Sequence, residues 1–413
     1  MPALTYTLLR EDGDPGSRAR LGRVETPHGG FDTPAFMPVG TAASVKGLLP
    51  EAVGSIGAQI ILSNTYHLLL RPGEELVQRM GGLQKWMRWD GPVLTDSGGY
   101  QVFSFADKNS IGDDGVKFRS HLDGREIHLS PERSIAVQNA LGADIIMAFD
   151  DCPPAPDRPE VVEATALGPR HAVPDAEYQA RLAQANDRTA RWLARCVKAH
   201  QRPADQALFG IVQGGIDLDA RRQSVEQVCQ HDLPGFAIGG VAVGEGFDQL
   251  KRVTEHTAPL LPEDRPRYLM GVGYERDLVT AVRAGVDMFD CVLPTRNARN
   301  ANAFTPFGQI RLRNARFSED ERVLDAGCDC PACAGGFSRS YLRHLFIAGE
   351  MLGGILLSLH NLRHFQRLML DIRAAIRDNT WSAVGRHWPV TLAEGPGTVR
   401  SDGRDLLESD ADV

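Results

Sequence analysis

Eight short apolar runs, each closing on a polar or glycine-rich end, constrain this chain more than any other feature. They are AFMPVGT (35–41), QIILSNTYH (59–67), PVLTDSGG (92–99), DIIMAFDDC (144–152), ALFGIVQGG (207–215), GFAIGGVAVGE (235–245), RYLMGVG (267–273) and VDMFDCVLP (286–294). Runs of this kind, without alternation, suit strands buried on both faces in a parallel sheet covered by helices. Between most of them lie stretches such as PERSIAVQNALG (131–142), AQANDRTARWLARCVKAH (183–200) and ERDLVTAVRAG (275–285). Their apolar positions recur at three and four, the period of one buried helix face. Eight such βα units over about 260 residues match the size of a closed (β/α)8 barrel. An open doubly wound sheet is the competing architecture. The polar residues favour the barrel, because Asn64, Asp96, Asp150, Gln213, Gly240 and Asp290 all close their runs, at the end where barrel active sites are built.

Two regions break the rhythm. Residues 100–130 hold two short alternating runs around GDDG and LDGRE, which predicts a β-hairpin inserted after the third strand. Residues 153–178 contain six prolines and little periodicity, so a loop is expected there.

Composition sets the outer limits. With 413 residues, 42% hydrophobic and 24% charged, there is ample core material for one large domain and an appendage. The expected division is a catalytic barrel over 1–300, a metal-binding subdomain with final helices over 301–385, and an acidic, disordered tail over 386–413. The net charge of −8 argues against a general nucleic-acid coat protein, yet residues 265–316 carry nine arginines against four acids. A local basic face on an acidic chain fits docking to one polyanion at one place. No apolar run approaches the roughly 20 residues needed to cross a membrane. The opening MPALTYTLLREDGD has no basic segment ahead of a sustained apolar one, so no signal peptide is expected. Cys152, Cys196, Cys229 and Cys291 are scattered, as suits buried thiols in a reducing compartment. A cytoplasmic protein is expected.

The remaining three cysteines form the most specific motif. CDCPAC places Cys328, Cys330 and Cys333 in one tight loop, and His360 follows 27 residues after the last of them. Three thiolates and one imidazole fill a tetrahedral Zn²⁺ shell and leave no position for water, so the metal would be structural. His344 is the alternative fourth ligand.

Asp96 and Asp290 end the third and eighth runs. Two carboxylates converging in a barrel mouth can divide labour, one as nucleophile and one exchanging protons, as in double-displacement glycosyl transfer. Asp150 adds a third acid at the same rim, and an acidic rim could equally hold Mg²⁺. The glycines of DSGGY, VQGG, IGGVAVGEG and MGVG let backbone approach a ligand closely. None matches a dinucleotide fingerprint or a P-loop, so no nucleotide or redox cofactor is expected. GVGYERD (271–277) runs into a helix start, which can hold phosphate. Asp290 is followed closely by Arg296 and Arg299, an acid beside two guanidinium groups, which suggests chemistry on something carrying phosphate.

Taken in order, TDSGGYQVFSF, MAFDDC, GIVQGG, IGGVAVGE, YLMGVG, MFDCVLPTRNARNANAFT and CDCPAC with the later HN strongly resemble the bacterial tRNA-guanine transglycosylase family, over roughly residues 5 to 380. The resemblance implies a (β/α)8 barrel with a zinc-binding subdomain late in the chain. The implied reaction exchanges guanine at the wobble position of certain tRNAs for a 7-deazaguanine, the first tRNA-level step of queuosine synthesis. Carried over by residue, it implies Asp290 as the nucleophile on the ribose anomeric carbon and Asp96 as general acid/base. It places the base among Asp96, Ser97, Gly98, Gly99, Tyr100, Asp150, Gln213 and Gly240, with Tyr100 covering its face. Asn64 would orient Asp290. RNA contacts would come from Gly271, Val272, Gly273, Tyr274, Glu275, Arg276 and Asp277, and from Thr295, Arg296, Asn297, Ala298 and Arg299. Cys328, Cys330, Cys333 and His360 match the zinc ligands, and a homodimer is implied. Val241 stands where the bacterial family generally has Leu. Val243 is larger than the Gly of eukaryotic relatives, which favours aminomethyl-deazaguanine over bulky queuine. The rival readings are a non-catalytic RNA-binding relative and a sugar hydrolase using the same acid pair.

Overall fold

Short strands of Ile, Leu, Val and Met, flanked by amphipathic helices, have one economical way to bury both faces, and this chain adopts it. The structure is a computed structural model, and it describes residues 2–100, 110–153, 175–242 and 244–392. Three antiparallel strands come first: β1 (Thr5–Glu11), β2 (Arg20–Thr26) and β3 (Gly29–Thr33). Barrel strands follow as β4 (Ala35–Pro38), β5 (Ile61–Ser63) and β6 (Val93–Thr95). A second antiparallel sheet, β7 (Ser110–Gly112), β8 (Gly115–Arg119) and β9 (Glu126–Leu129), is inserted next. The barrel resumes with β10 (Ile145–Met147), β11 (Ala207–Val212), β12 (Gly235–Ile238), β13 (Arg267–Leu269) and β14 (Met288–Cys291).

The eight barrel strands lie in the order β4-β14-β13-β12-β11-β10-β6-β5, all parallel. A parallel bridge between Val39 and Leu62, with Gly40 N–H donating to the Leu62 carbonyl at 2.6 Å, joins the two ends of that order. The sheet is therefore a closed (β/α)8 barrel and not an open doubly wound sheet. Each of the eight apolar runs contains one strand.

The core divides as a barrel requires. Met37, Leu62, Leu94, Met147, Ile211, Tyr268 and Met288 fill the interior. Phe36, Ile61, Val93, Ile146, Phe236 and Phe289 point outward against the helices. Val24 and Phe31 of the first sheet join the interior cluster, so β1–β3 cover the N-terminal mouth. A buried polar network pins that lid: Arg20 pairs with Asp287, whose carboxylate also accepts from the Arg267 N–H at 2.7 Å. Residues 5–33 carry no sustained apolar run, and β1 is exposed along most of its length, so the sheet gives a weak sequence signal.

The insertion after the third barrel strand is a three-stranded sheet, where the sequence predicted a two-stranded hairpin. The extra strand is REIHL, which pairs with β8 after the LDG turn. Most of the proline-rich segment 153–178 lies outside the described residues, and a helix begins at Asp175.

Beyond β14 come the hairpin β15 (Asn302–Thr305) and β16 (Gly308–Arg311), the cysteine loop, and helices Arg339–Ala348 and Met351–Asp378. A separate apolar cluster from Ala298 to Leu357 surrounds the cysteines. The 28-residue helix 351–378 contributes to both this cluster and the barrel's outer core. Residues 386–392, expected to belong to the tail, are folded instead. Helix Trp381–His387 and the turn Pro389–Leu392 are folded, Trp388 is buried, and Val390 N–H donates to the Pro306 carbonyl at 2.9 Å. Residues 393–413 lie outside the described residues. Among the described residues, no helix is long and apolar enough to cross a membrane.

Candidate active site and metal centre

Barrel closure delivers Asn64, Asp96, Asp150, Gln213, Gly240 and Asp290 to one rim, because each lies at or just past the C-terminal end of its strand. Asp290 belongs to β14 and is the one partly exposed residue of that strand. Its Oδ1 accepts two hydrogen bonds, from the Tyr268 hydroxyl at 2.5 Å and from the Gly271 N–H at 2.8 Å. Oδ2 has no hydrogen-bond partner among the described residues. Burial pushes the Asp290 carboxyl above its ordinary value, and the Tyr268 and Gly271 donors pull it back down. Burial likewise pushes the Tyr268 phenol well above its usual range, reinforced by the negative charges of Asp290 and, more weakly, Asp96. Tyr268 thus feels both acids, Asp290 the more strongly.

Asp96 is buried and held on both oxygens. Asn64 Nδ2 donates to Oδ2 at 2.5 Å and Thr65 N–H to Oδ1 at 2.8 Å, while the Thr65 hydroxyl donates to the Asp96 carbonyl at 2.5 Å. Asn64 therefore orients Asp96, not Asp290 as the resemblance implied. The reason is topological: β5 and β6 are paired neighbours, whereas β4 stands between β5 and β14. The Asp290 orienters are Tyr268 and Gly271. Tyr268 passed unnoticed in the sequence, although a tyrosine in the interior of an apolar barrel strand has a hydroxyl that must find a partner.

Asp150 accepts from Gln213 Nε2 at 2.6 Å and from Ser97 Oγ at 3.3 Å. Its carboxyl is pushed up to about 6, first by burial and further by Asp151, against the pull of Gln213 and Ser97. Ser97, Gly98 and Gly99 run against it; a Cβ on Gly99 would stand 3.1 Å from the Asp150 carbonyl oxygen, so a side chain there would crowd the acid. Tyr100 follows at the rim and is 49% exposed. Asp151 has a different fate. Arg181 and Arg188 of helix 175–199 both clamp it, which makes it a structural ion pair. Val241 is buried, and Val243 lies outside the described residues.

The predicted RNA-contact stretches divide by exposure. Val272, Gly273, Glu275, Asp277, Thr295 and Ala298 are buried, whereas Gly271, Arg296 and Arg299 are exposed and Tyr274, Arg276 and Asn297 are partly so. The start of helix Glu275–Arg283 is not open to phosphate, because its first turn carries Glu275 and Asp277. Glu275 already accepts from His364 at 2.7 Å, and Arg276 stacks on Phe247 at 3.5 Å. The Arg296 side chain makes no hydrogen bond or ion pair among the described residues and is exposed, so its charge faces solvent.

The metal centre lies apart from the mouth. Cys328, Cys330, Cys333 and His360 are all buried, with their ligand atoms within 4.8 Å of one another. Cys330 Sγ and Cys333 Sγ stand 3.5 and 3.4 Å from His360 Nδ1. A tetrahedron with Zn–S of about 2.3 Å and Zn–N of about 2.0 Å has an S···N edge of about 3.5 Å, so the donor set fits zinc. His360 Nε2 bonds the Phe304 carbonyl at 2.8 Å, which places the proton on Nε2 and the lone pair on Nδ1. The neighbouring Cys330 and Cys333 drive the Cys328 thiol far below its ordinary range. His344 sits on helix 339–348 outside the cluster, so the fourth donor is His360. Among the described residues this is the only cluster of potential metal ligands, and the mouth carboxylates form none.

A closed barrel that gathers Asp96, Asp150 and Asp290 on one rim and carries, beyond its last strand, a buried Cys3His cluster able to hold a metal ion describes an enzyme whose rim carboxylates sit apart from that cluster. Comparison with known proteins narrows this class. The family profile described as Queuine tRNA-ribosyltransferase matches residues 14–172 and 166–391. A queuine tRNA-ribosyltransferase of Symbiobacterium thermophilum is 55% identical over 405 residues, covering 97% of this chain and 96% of its own. One of Thermus thermophilus is 55% identical over 90% of this chain and 91% of its own, and one of Listeria innocua 50% over 92% and 94%. The chain belongs to the queuine tRNA-ribosyltransferase family, and is a pentosyltransferase.

Because the cluster is buried and linked to the surrounding core, binding of a metal there would be coupled to folding of this region. The protein is expected to hold one zinc per chain by elemental analysis, since it has one such cluster among the described residues. Chelation should open residues 298–357 to protease and lower helical circular dichroism. Unchanged protease resistance after complete zinc loss would contradict this.

Proposed function

We propose that this enzyme exchanges guanine at the wobble position of tRNAs with GUN anticodons (Asp, Asn, His and Tyr) for 7-aminomethyl-7-deazaguanine, by double displacement through a covalent enzyme–RNA intermediate. The observation that carries this reading is the asymmetric binding of Asp290, with one oxygen doubly hydrogen-bonded and the other unbonded at the mouth. In the first half-reaction Asp290 Oδ2 attacks C1′ of the ribose, the C1′–N9 bond breaks, and guanine leaves with a proton from Asp96. In the second, the incoming base gives its N9 proton to Asp96, and its nitrogen displaces the Asp290 carboxylate from C1′. Two inversions restore the anomer, and Asp96 and Asp290 return to their starting states. Positive charge develops on the ribose as the glycosidic bond opens, and an anionic carboxylate on the opposite face stabilises it.

Asp150 and Gln213 read the base edge. A carboxylate accepts from the N1–H and exocyclic amine of guanine, a donor pair adenine lacks. Tyr100 covers the base face. A base stacked in an anticodon loop must be extruded, at about a few kcal/mol. The exposed Arg296 and Arg299 offset that cost by holding backbone phosphates, with Gly271, Tyr274, Arg276 and Asn297 beside them. The zinc, if bound by Cys328, Cys330, Cys333 and His360, holds structure and supplies no chemistry to the mouth. The chain works in the cytoplasm as a homodimer. Tyr341, Ile347, Met351 and Leu352, all exposed on helices 339–348 and 351–378, are suited to the subunit contact.

Wild-type enzyme with tRNA and no free base should give an RNA–protein adduct that survives denaturing electrophoresis. Asp290→Asn should give none and lose at least about 10³-fold in exchange rate. An adduct with the variant would assign the nucleophile elsewhere. Asp150 must be ionised to accept from guanine, and its carboxyl is pushed up to about 6. KM for the base is therefore expected to climb towards about tenfold per unit as the pH falls below that value, since protonation removes the acceptor. Asp150→Asn should flatten the profile, and a wild-type KM independent of pH between 4.5 and 7, roughly the window in which such a carboxyl titrates, would overturn the edge-reading role. Light scattering should report a dimer for the wild type and a shift to monomer for the double variant Ile347→Lys, Met351→Lys. A dimer unmoved by that variant would place the contact on another face.

A further inference from the structure

Arg221 lies in helix Leu218–Val228, is fully buried, and makes every one of its hydrogen bonds to backbone carbonyls. Nε donates to Gly215 at 2.8 Å, Nη1 to Val212 at 3.1 Å and Gly239 at 2.7 Å, and Nη2 to Gly240 at 2.8 Å. These four oxygens belong to two neighbouring segments, the end of β11 with the turn that carries Gln213, and the turn after β12 that carries Gly240. A guanidinium offers five N–H donors in a rigid planar fork, and here four acceptors from separate turns are placed to match it.

The consequence for the mouth follows from peptide geometry. In a trans peptide the carbonyl and the following N–H point in opposite directions. With the Gly239 and Gly240 carbonyls turned onto Arg221, the N–H groups of Gly240 and Val241 point away from it. Neither has a hydrogen-bond partner among the described residues. Gly240 sits at φ +62°, and a Cβ there would lie 2.4 Å from Gln213 Oε1, so the two turns touch at the group that holds Asp150. Gln213 Oε1 is itself buried without a partner.

We infer that Arg221 is a positioning residue for base specificity. By clasping both turns it fixes the Gly240 and Val241 N–H donors, and the Gln213 amide, relative to Asp150, without touching the base. This rests on the reading that Asp150, Gln213 and Gly240 bind the base edge. The ligand it serves is a purine-like base presenting a carbonyl acceptor beside an N–H and amine donor pair. Burial lowers the Arg221 guanidinium to about 10, so it remains charged at neutral pH.

The test is guanine exchange into tRNA by the full-length enzyme, with KM for base and for tRNA measured separately. Arg221→Lys keeps the charge but offers three donors from a single point. It should raise KM for guanine about tenfold or more while moving KM for tRNA less than about threefold, since the lost bonds hold the base pocket alone. Arg221→Ala should show a larger split, partly reversed by millimolar methylguanidine, which can re-enter the vacated space. Equal changes in both KM values, a wild-type base KM in folded Arg221→Lys, or failure of both variants to fold would overturn the inference and leave Arg221 as a fold determinant. Asp150→Asn and Gln213→Ala serve as references. If neither raises the base KM, the edge-reading pocket itself is wrong; if both do and Arg221→Lys does not, only the role of Arg221 falls.

Discussion

The hydrogen bond from the Tyr268 hydroxyl to Asp290 Oδ1 is the interaction on which the mouth depends. A carboxylate at the top of an apolar barrel would be neutralised by desolvation unless donors met it. Bonds to a charged group contribute about 1.5–3 kcal/mol each, and Asp290 has two of them on one oxygen. Tyr268 can supply its share because β13 and β14 pair in register, Tyr268 against Met288, which sets the phenol in the barrel interior two residues below the acid. The Gly271 amide reaches the same oxygen from the loop after β13. One donor comes from the strand beside the acid and the other from the first residues after that strand, so the site is built by strand pairing and needs no long loop to hold it.

Helix 351–378 joins the metal centre to that loop system. His360 belongs to the Cys3His cluster that could hold a metal ion. Asn361, the next residue, donates to the carbonyls of Pro294 and Asn302 and accepts from the Phe304 N–H. One turn further, His364 bonds Glu275 at the start of the helix that follows β13. Three residues on one helix thus fix the cysteine loop, the segment after Asp290 and the segment after Gly271. Asn361 is buried and bonds three backbone groups of the segment 294–304, which accounts for an asparagine inside the buried face of this helix. The metal cluster and the mouth are separate sites held by one rigid strut.

Much of this was legible in the chain. The eight apolar runs each hold a barrel strand, because strands buried on two faces cannot hide their composition. Cys328, Cys330 and Cys333 lie close enough in sequence to announce their cluster. The lid sheet β1–β3 was not legible, since it is half exposed and carries no sustained apolar run. Nor was the third strand of the insertion, where EIHL shows only a weak alternation. Exposure within 271–277 and 295–299 could not be read either: Glu275 and Asp277 look like surface residues in any window, and only the packing of helix 351–378 shows that the first of them is buried against a histidine.

The sequence by itself determined the order of the barrel strands, the set of polar residues at strand ends and the chemistry of the Cys3His donors, because those are properties of local pattern and side-chain type. The tertiary structure alone decided which groups meet. Asn64 serves Asp96 because β5 lies beside β6, Tyr268 serves Asp290 because β13 lies beside β14, and Arg221 gathers the backbone carbonyls that follow β11 and β12 because those two strands are neighbours. Hydrogen-bond partners at a rim are chosen by neighbouring strands, and strand neighbours are fixed only when the ring closes.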